Sequence, residues 1–372
     1  MRPYIALPLL LVACAGNAQQ NSPSTSPKPF NETVIADFVS PWAMTFLPDG
    51  RMLVTEKAGQ ILLVSADGKS RQAVSGTLPV DSAGQGGMMD IVLAPGFARN
   101  GLVYFSFSES GPGGKGVVLA RGKLVETQVA ALQNVEVLHR ATPYVPGNGH
   151  YSGRIAFSPD GKYLFYANGE RQKFDPAQDP KSSLGKVLRL TLDGKPAPFN
   201  PLAARGFDPA IWSYGHRNIL GLAFDSFGNL WEQEMGPKGG DELNLIQAGK
   251  NYGYPKVSNG SHYDGRDIPD HAPGDGFEAP KVFWTPVISP GGLIIYSGNL
   301  FPAWKGDAFI GGLSSQALVR VDLNGTRAIK GDQFDMGARI REVEQGPDGA
   351  IYVLEDGDDG SQGRLIKLTP KG

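Results

Sequence analysis

The sequence predicts an all-β protein folded as a six-bladed β-propeller, and three observations predict it. The first is composition. Of 372 residues, 50 are glycine and 29 are proline, which favours many turns over long helices. The second is a turn-then-strand cassette that recurs along the chain. The third is its spacing, loose at about 45–65 residues but fixed in order, as in propeller blades.

Six cassettes can be counted: PDGRMLVTEKAGQILLVSADG (48–68), GLVYFSFSE (101–109), PDGKYLFYANGE (159–170), DSFGNLWEQEMG (225–236), GDAFIGGLSSQALVRVDLNG (306–325) and PDGAIYVLEDGDDGSQGRLIKLTPKG (347–372). Each opens at an Asp-Gly or Gly turn and continues as a run rich in Val, Leu, Ile, Phe and Tyr, the signature of strands bounded by turns. The second and fifth are looser copies. Four-stranded blades arranged radially bury both sheet faces and leave only short edges. Function then falls to loops at one end of the channel, because the strands are committed to packing. The long loops expected are 171–186, 232–251 and 256–283, all polar and all in the middle of the chain.

Arg2 precedes an apolar run over residues 5–13 that ends in Leu11-Val12-Ala13-Cys14. This reads as a lipoprotein-type signal peptide over 1–14, followed by a flexible Ser/Pro/Asn tether over 15–32 and the propeller over 33–372. The expected location is the periplasm or cell envelope, with lipid on Cys14 holding the protein to the outer membrane. Cys14 is the only cysteine, so no disulfide can form within the chain. No later apolar run approaches the roughly 20 residues of a membrane-spanning helix. A hydrophobic fraction of 41% supports a sizeable core, and a formal net charge of −2 gives no compositional reason to expect nucleic acid.

The densest chemistry lies in WSYGHRN…GLAFDSFGNLWEQEMGPKGGDELNLIQAGKNYGYP (212–255). It combines Arg217, Asn218, Gly236, Pro237, Asp241 and Glu242. Arginine offers a planar fork of donors to carboxylates, while carboxylates and free carbonyls are the oxygen ligands calcium prefers. The mix suits an anionic cofactor held with a hard cation. His150, in Gly-Asn-Gly-His-Tyr-Ser-Gly-Arg just before an apparent strand, is the candidate general base, since neutral imidazole suits proton removal near neutral pH. Arg339 and Arg341 lie two apart in an apparent strand and should share a face, out of phase with Glu342 and Glu344.

The order of eight motifs carries a resemblance over residues 39–370. They are PWAMTFLPDGRMLVTEKAGQI (41–61), GQGGMMDIVLAPGF (84–97), HYSGRIAFSPDG (150–161), YGHRN (214–218), GPKGGDELN (236–244), NYGYP (251–255), WTPVISPGG (284–292) and RIREVEQGPDG (339–349). In this order the sequence resembles the calcium- and pyrroloquinoline quinone (PQQ)-dependent sugar dehydrogenases, above all the soluble aldose sugar dehydrogenases. The resemblance implies His150 as catalytic base, with Arg217 stabilising charge as the quinone is reduced. It implies Gln85, Arg217, Asn218, Gly312, Arg339 and Arg341 as contacts for PQQ. It also implies that carbonyls of Gly236 and Pro237 hold a calcium ion bridging to PQQ, and that Glu242 and the Tyr252 carbonyl hold a second one. The expected reaction is oxidation of an aldose at the anomeric carbon to a lactone, with electrons leaving to an unidentified acceptor and the protein a monomer or homodimer.

Two departures stand out. Gly149 occupies a position where some relatives carry an acidic residue, and Leu313-Ser314-Ser315-Gln316 lacks the lysine some relatives place there. The alternatives are a calcium-dependent sugar lactonase and a non-catalytic carbohydrate-binding propeller. Asp356, Asp358 and Asp359 read as a final-blade turn, and Trp284 as a candidate pocket wall. His216, His262 and His271 lack zinc-cluster spacing.

Overall fold

A computed structural model of the chain describes residues 25–358 and 360–372. The expected signal peptide, Cys14, the first part of the tether and Asp359 lie outside the described residues.

Six four-stranded antiparallel sheets are set around an axis, the six-bladed propeller that the cassettes predict. Each of the six cassettes falls in a different blade. Within a blade the chain starts at the axis and runs outward. The inner strands are Pro41–Phe46, Met88–Leu93, Ser152–Phe157, Ile219–Phe224, Pro290–Ile295 and Ile340–Gln345, each packed against its neighbours around the ring. Apolar residues such as Met88, Phe105, Leu188, Trp231, Phe309 and Val353 fill the spaces between blades. Among the described residues no helix is long and apolar enough to cross a membrane.

The turn chemistry explains the cassettes. Asp49, Asp160, Asp225 and Asp348 each accept a hydrogen bond from the amide two residues on, at 3.1, 3.2, 2.9 and 3.1 Å. This Asx turn reverses the chain between the first and second strands of four blades.

The sixth blade is completed by Phe30–Asp37, which pairs antiparallel with Arg364–Pro370. That strand begins ahead of the boundary expected at residue 33. Phe30 is the reason. Its buried ring packs edge-on against Trp304 and Phe334, with centroids 6.3 and 5.2 Å away, and fixes the strand to blades five and six.

Every inner strand slips register within its first residues: between Pro41 and Met44, Met88 and Ile91, Ser152 and Ile155, Ile219 and Gly221, Pro290 and Leu293, and Ile340 and Glu342. Bulges re-aim side chains beside functional sites. Here the residues they turn out of the ladder include Trp42, Met89, Asp90, Arg154, Leu220 and Arg341, all of which face the axis. The segment 232–251, expected as a loop, instead takes in parts of two strands, Leu230–Glu234 and Asp241–Ile246. Glu232, Glu234, Glu242 and Asn244 share one strand face, where the register pairs Glu232 with Asn244 and Glu234 with Glu242. That face is buried rather than solvated.

Candidate active site

The strand starts enclose a cavity of about 290 Å³ on the axis. Gln85, Asn218, Arg339 and Arg341, four of the residues expected to hold a cofactor, line it together. Trp42, Met89, Leu220 and Leu313 supply apolar wall. Fixed amide and guanidinium donors beside flat apolar surface suit an aromatic polycarboxylate.

His150 stands at the rim. It and Ser152 have positive φ, 49° and 60°, conformations that non-glycine residues hold only where surrounding structure imposes them. Three contacts impose it. The His150 amide donates to Gln85 Oε1 at 2.7 Å. The Arg171 guanidinium, 1% exposed, donates to the carbonyls of Gly147 and Gly149 at 2.6 and 2.8 Å and lies 3.7 Å over the Tyr151 ring. The third contact is between the ring and Glu170, through Nδ1. A Cβ at Gly149 would meet Gln172 Cδ at 2.6 Å, the end of an exposed side chain that can move aside.

Glu170 settles how the histidine is oriented. Its carboxylate accepts from the amides of Gln172 and Phe174 at 2.9 and 2.7 Å, so it is fixed before it meets His150. With Nδ1–H donating to Glu170, Nε2 is the ring's proton acceptor. Burial holds the imidazole below its ordinary range, the Arg217 and Arg171 charges add to this, and Glu170 opposes it. Glu170→Gln is expected to lower kcat by about tenfold or more, because it removes the group that fixes tautomer and basicity; steady-state kinetics with KM near wild type would show it.

Arg339 lies one residue before its strand rather than in it, so the shared face expected for the arginines does not arise from simple alternation. The slip between Ile340 and Glu342 turns Arg341 inward, and both guanidiniums converge on Asp356. The Arg339 Nε lies 2.7 Å and the Arg341 Nη2 3.7 Å from Asp356 Oδ2. Asp356, 2% exposed, also lines the cavity with Asp358. The reading of Asp356 as an ordinary final-blade turn is therefore corrected.

Arg217 donates through Nη1 to the Met235 carbonyl at 2.8 Å and through Nη2 to the Tyr263 hydroxyl at 3.3 Å, while its buried Nε has no partner among the described residues. The Arg217 and Asn218 amides both donate to Glu234.

Beneath Arg217 lies a buried acidic group that the spacing of histidines did not reveal. His216 Nδ1 lies 3.3 Å from Glu232 and 3.4 Å from Glu234, its Nε2 is 2.8 Å from Ser213 Oγ, and its ring stacks on Tyr252 at 4.6 Å. Burial pulls this histidine down, but the two carboxylates outweigh it and bring it up to about 9. Burial and the Glu234 and Glu232 charges push Glu242 well above the usual carboxylate range. Glu232 Oε2 is buried and unpartnered. Three carboxyls against one imidazolium leave negative charge that a hard divalent cation would match. Once His216 gives up its proton, its ligand atom and those of Glu232 and Glu234 are close enough to share an ion. Gly236, Glu242 and Tyr252 line one small cavity here with Glu234, rather than two separate places, while Pro237 faces the next cavity.

The chain matches the glucose/sorbosone dehydrogenase family over residues 38–367. The chain belongs to that family. Its similarities run through the whole propeller. It is 37% identical to an aldose sugar dehydrogenase of Escherichia coli K12, over 99% of this chain and 98% of the relative. The apo crystal structure of the soluble aldose sugar dehydrogenase from Escherichia coli superposes with a TM-score of 0.86 at 36% identity, covering 92% of this chain and all of that one. The PQQ-bound aldose sugar dehydrogenase of Streptomyces coelicolor gives 0.76 at 29% identity, covering 94% of this chain and 100% of that one.

In this family member a second cavity, about 220 Å³, adjoins the first where His150 and Arg217 meet Tyr151 and Asn218. Phe174, Tyr254, His262 and Tyr263 wall it: Phe174 comes from the loop 171–186, His262 and Tyr263 from the loop 256–283, and Tyr254 from just ahead of the latter. Trp284, expected as pocket wall, lies in the core instead, packed with Trp231 and Ile288. Gly312 is set back from all three cavities. It is buried at the end of Ala308–Gly312, where a Cβ would meet Ser315 Oγ at 2.0 Å; its neighbour Leu313 is the lining residue.

Proposed function

We propose that this dehydrogenase uses PQQ and calcium to oxidise aldose sugars at the anomeric carbon to lactones. The observation that carries the reading is the buried His150–Glu170 pair standing between a donor-lined cavity and an aromatic-lined one. The lining of the larger cavity fits a quinone bearing carboxylates: Arg339 and Arg341 would pair with carboxylates, Gln85 and Asn218 would offer amide donors, and Trp42 and Leu220 would supply apolar surface. The carboxyl group around Glu242 and the carbonyls of Gly236, Pro237 and Tyr252 would hold calcium. When bound, PQQ accepts a hydride and calcium polarises its oxygens to favour that uptake.

The protein's own part is positional and protic. Phe174, Tyr254 and Tyr263 give the sugar ring apolar surface to lie on. His150 Nε2 takes the anomeric hydroxyl proton as the C–H bond gives up its electron pair. Glu170 holds the imidazolium that forms. Arg217, beside both cavities, stabilises negative charge that develops there. The enzyme would work in the cell envelope, carried by lipid on Cys14, and pass electrons to a separate acceptor.

Dye-linked oxidation of several aldoses by the purified protein tests this directly. Activity is expected only when both PQQ and calcium are added, and chelation should abolish it. Hydrolysis of a sugar lactone without any dye reduction would move the assignment to a lactonase.

A further inference from the structure

The larger cavity holds one cation that none of the foregoing uses. Lys57 follows the strand Met52–Glu56, and its backbone is fixed on both sides: its amide donates to the Ser40 carbonyl at 3.0 Å, and its carbonyl accepts from the Met88 amide at 3.1 Å. Ser40 and Met89 are themselves cavity wall. The side chain runs over Gly87, where a Cβ would lie 2.6 Å from Lys57 Cγ, and lines the cavity in company with Gln85. Glycine at 87 is what leaves this path open.

Lys57 makes no ion pair among the described residues. The adjacent carboxylate, Glu56, is occupied by the Val39 amide at 2.7 Å. Arg339 and Arg341, by contrast, converge on Asp356. Of the described charged side chains that line the cavity, Arg339, Arg341, Asp356 and Asp358 come from the sixth blade and Lys57 from the first. An ammonium on a short leash at the wall of this cavity is a point-charge donor awaiting an anion.

We propose that Lys57 is a cofactor-binding residue whose ammonium would hold a carboxylate of the quinone, on the blade next to that of the arginine pair. This rests on the PQQ reading above. It would also supply from the first blade the cationic donor that the 313–316 segment of this chain lacks.

The test is titration of apo protein with PQQ at saturating calcium, followed by quinone absorbance. Lys57→Met, which keeps the length and apolar stem, is expected to weaken binding about tenfold, as for loss of one charge-assisted hydrogen bond. Its melting temperature without cofactor should match wild type. Lys57→Arg, which keeps the charge, should stay within about threefold of wild type. Wild-type affinity in the methionine variant overturns the proposal while leaving the PQQ reading intact. An arginine variant as weak as the methionine one would show the loss to be one of shape, and overturns it too. Absence of PQQ binding by the wild-type protein overturns both readings.

Discussion

Replacing His150 with alanine is expected to lower kcat for aldose oxidation by about 10²–10⁴-fold, the contribution of a well-placed general base, with PQQ affinity near wild type. The separation follows from geometry, because His150 faces the aromatic cavity while the quinone donors line its neighbour. The pH dependence is a second signature. The neutral ring is the working form, and burial together with Arg217 and Arg171 holds it neutral below the ordinary histidine value. Activity should therefore persist as pH falls through about 6.5 and be lost only at lower pH, as the ring takes up its proton. Because Glu170 raises the ring's affinity for a proton, Glu170→Gln should move that acid limb further down. A kcat/KM limb centred above the ordinary value, or a limb unchanged in the Glu170 variant, would contradict the assignment.

Arg154→Met is expected to destabilise the fold by about 3–5 kcal/mol, the cost of removing one partner from a buried charge group. Arg154 is 6% exposed and donates to the Leu220 carbonyl at 2.6 Å, to Asp90 at 3.2 Å and to Glu342, while its guanidinium lies 4.2 Å over Trp42. These contacts join the inner strands of blades one, two, three, four and six at the axis. Burial already raises Asp90, and it brings Glu342 up to about 7, with Arg154 opposing both shifts. Glu344 shares a further cavity of about 110 Å³ with Asp90, Arg154 and Glu342, and burial with the Glu342 and Asp90 charges pushes it well above the usual carboxylate range. Without Arg154 the folded state must hold these carboxyls protonated, whereas the unfolded chain releases the protons near the ordinary carboxylate value. Stability of the variant should thus fall as pH rises between those limits. Urea unfolding at pH 5 and pH 8 should show the larger deficit at pH 8. An equal deficit at both would mean that lost packing over Trp42, rather than uncompensated charge, is responsible.

The fold was legible because its repeats are local. An Asp-Gly turn and the strand after it lie within a dozen residues, and the Asx turns at Asp49, Asp160, Asp225 and Asp348 use nothing from elsewhere in the chain. Residues that the fold gathers around the two cavities were legible through the order of the motifs around Gln85, His150, Arg217 and Arg341. What escaped were the partners. Glu170 closes a cassette and looks like any turn carboxylate until the loop folds back on His150. Asp356 is one acid in a run of Asp and Gly, and only ring closure brings it to the arginines. Arg154 and Asp90 carry no signal of their own in the sequence, because the bulges that turn them to the axis break the period from which a strand's facing is read. The polar run at 232–251 looked like a loop because polarity usually means solvent; here it surrounds a buried acidic group.

The strand that completes the sixth blade has a consequence for how the protein is made. Asn31 and Pro370, joined across that pairing, are 339 residues apart in sequence. Five blades can assemble in the order of synthesis, each from neighbouring hairpins, but the ring cannot be clasped until the distant partner emerges. Until then Phe30 and a bare strand edge wait in a half-built molecule, where slow long-range pairing and sticking to other chains compete. The finished clasp sets the two segments side by side, with the Lys371 amide on the Pro29 carbonyl at 3.0 Å. Splicing these segments together and opening the chain between two other blades would make this pairing a local hairpin and remove the wait.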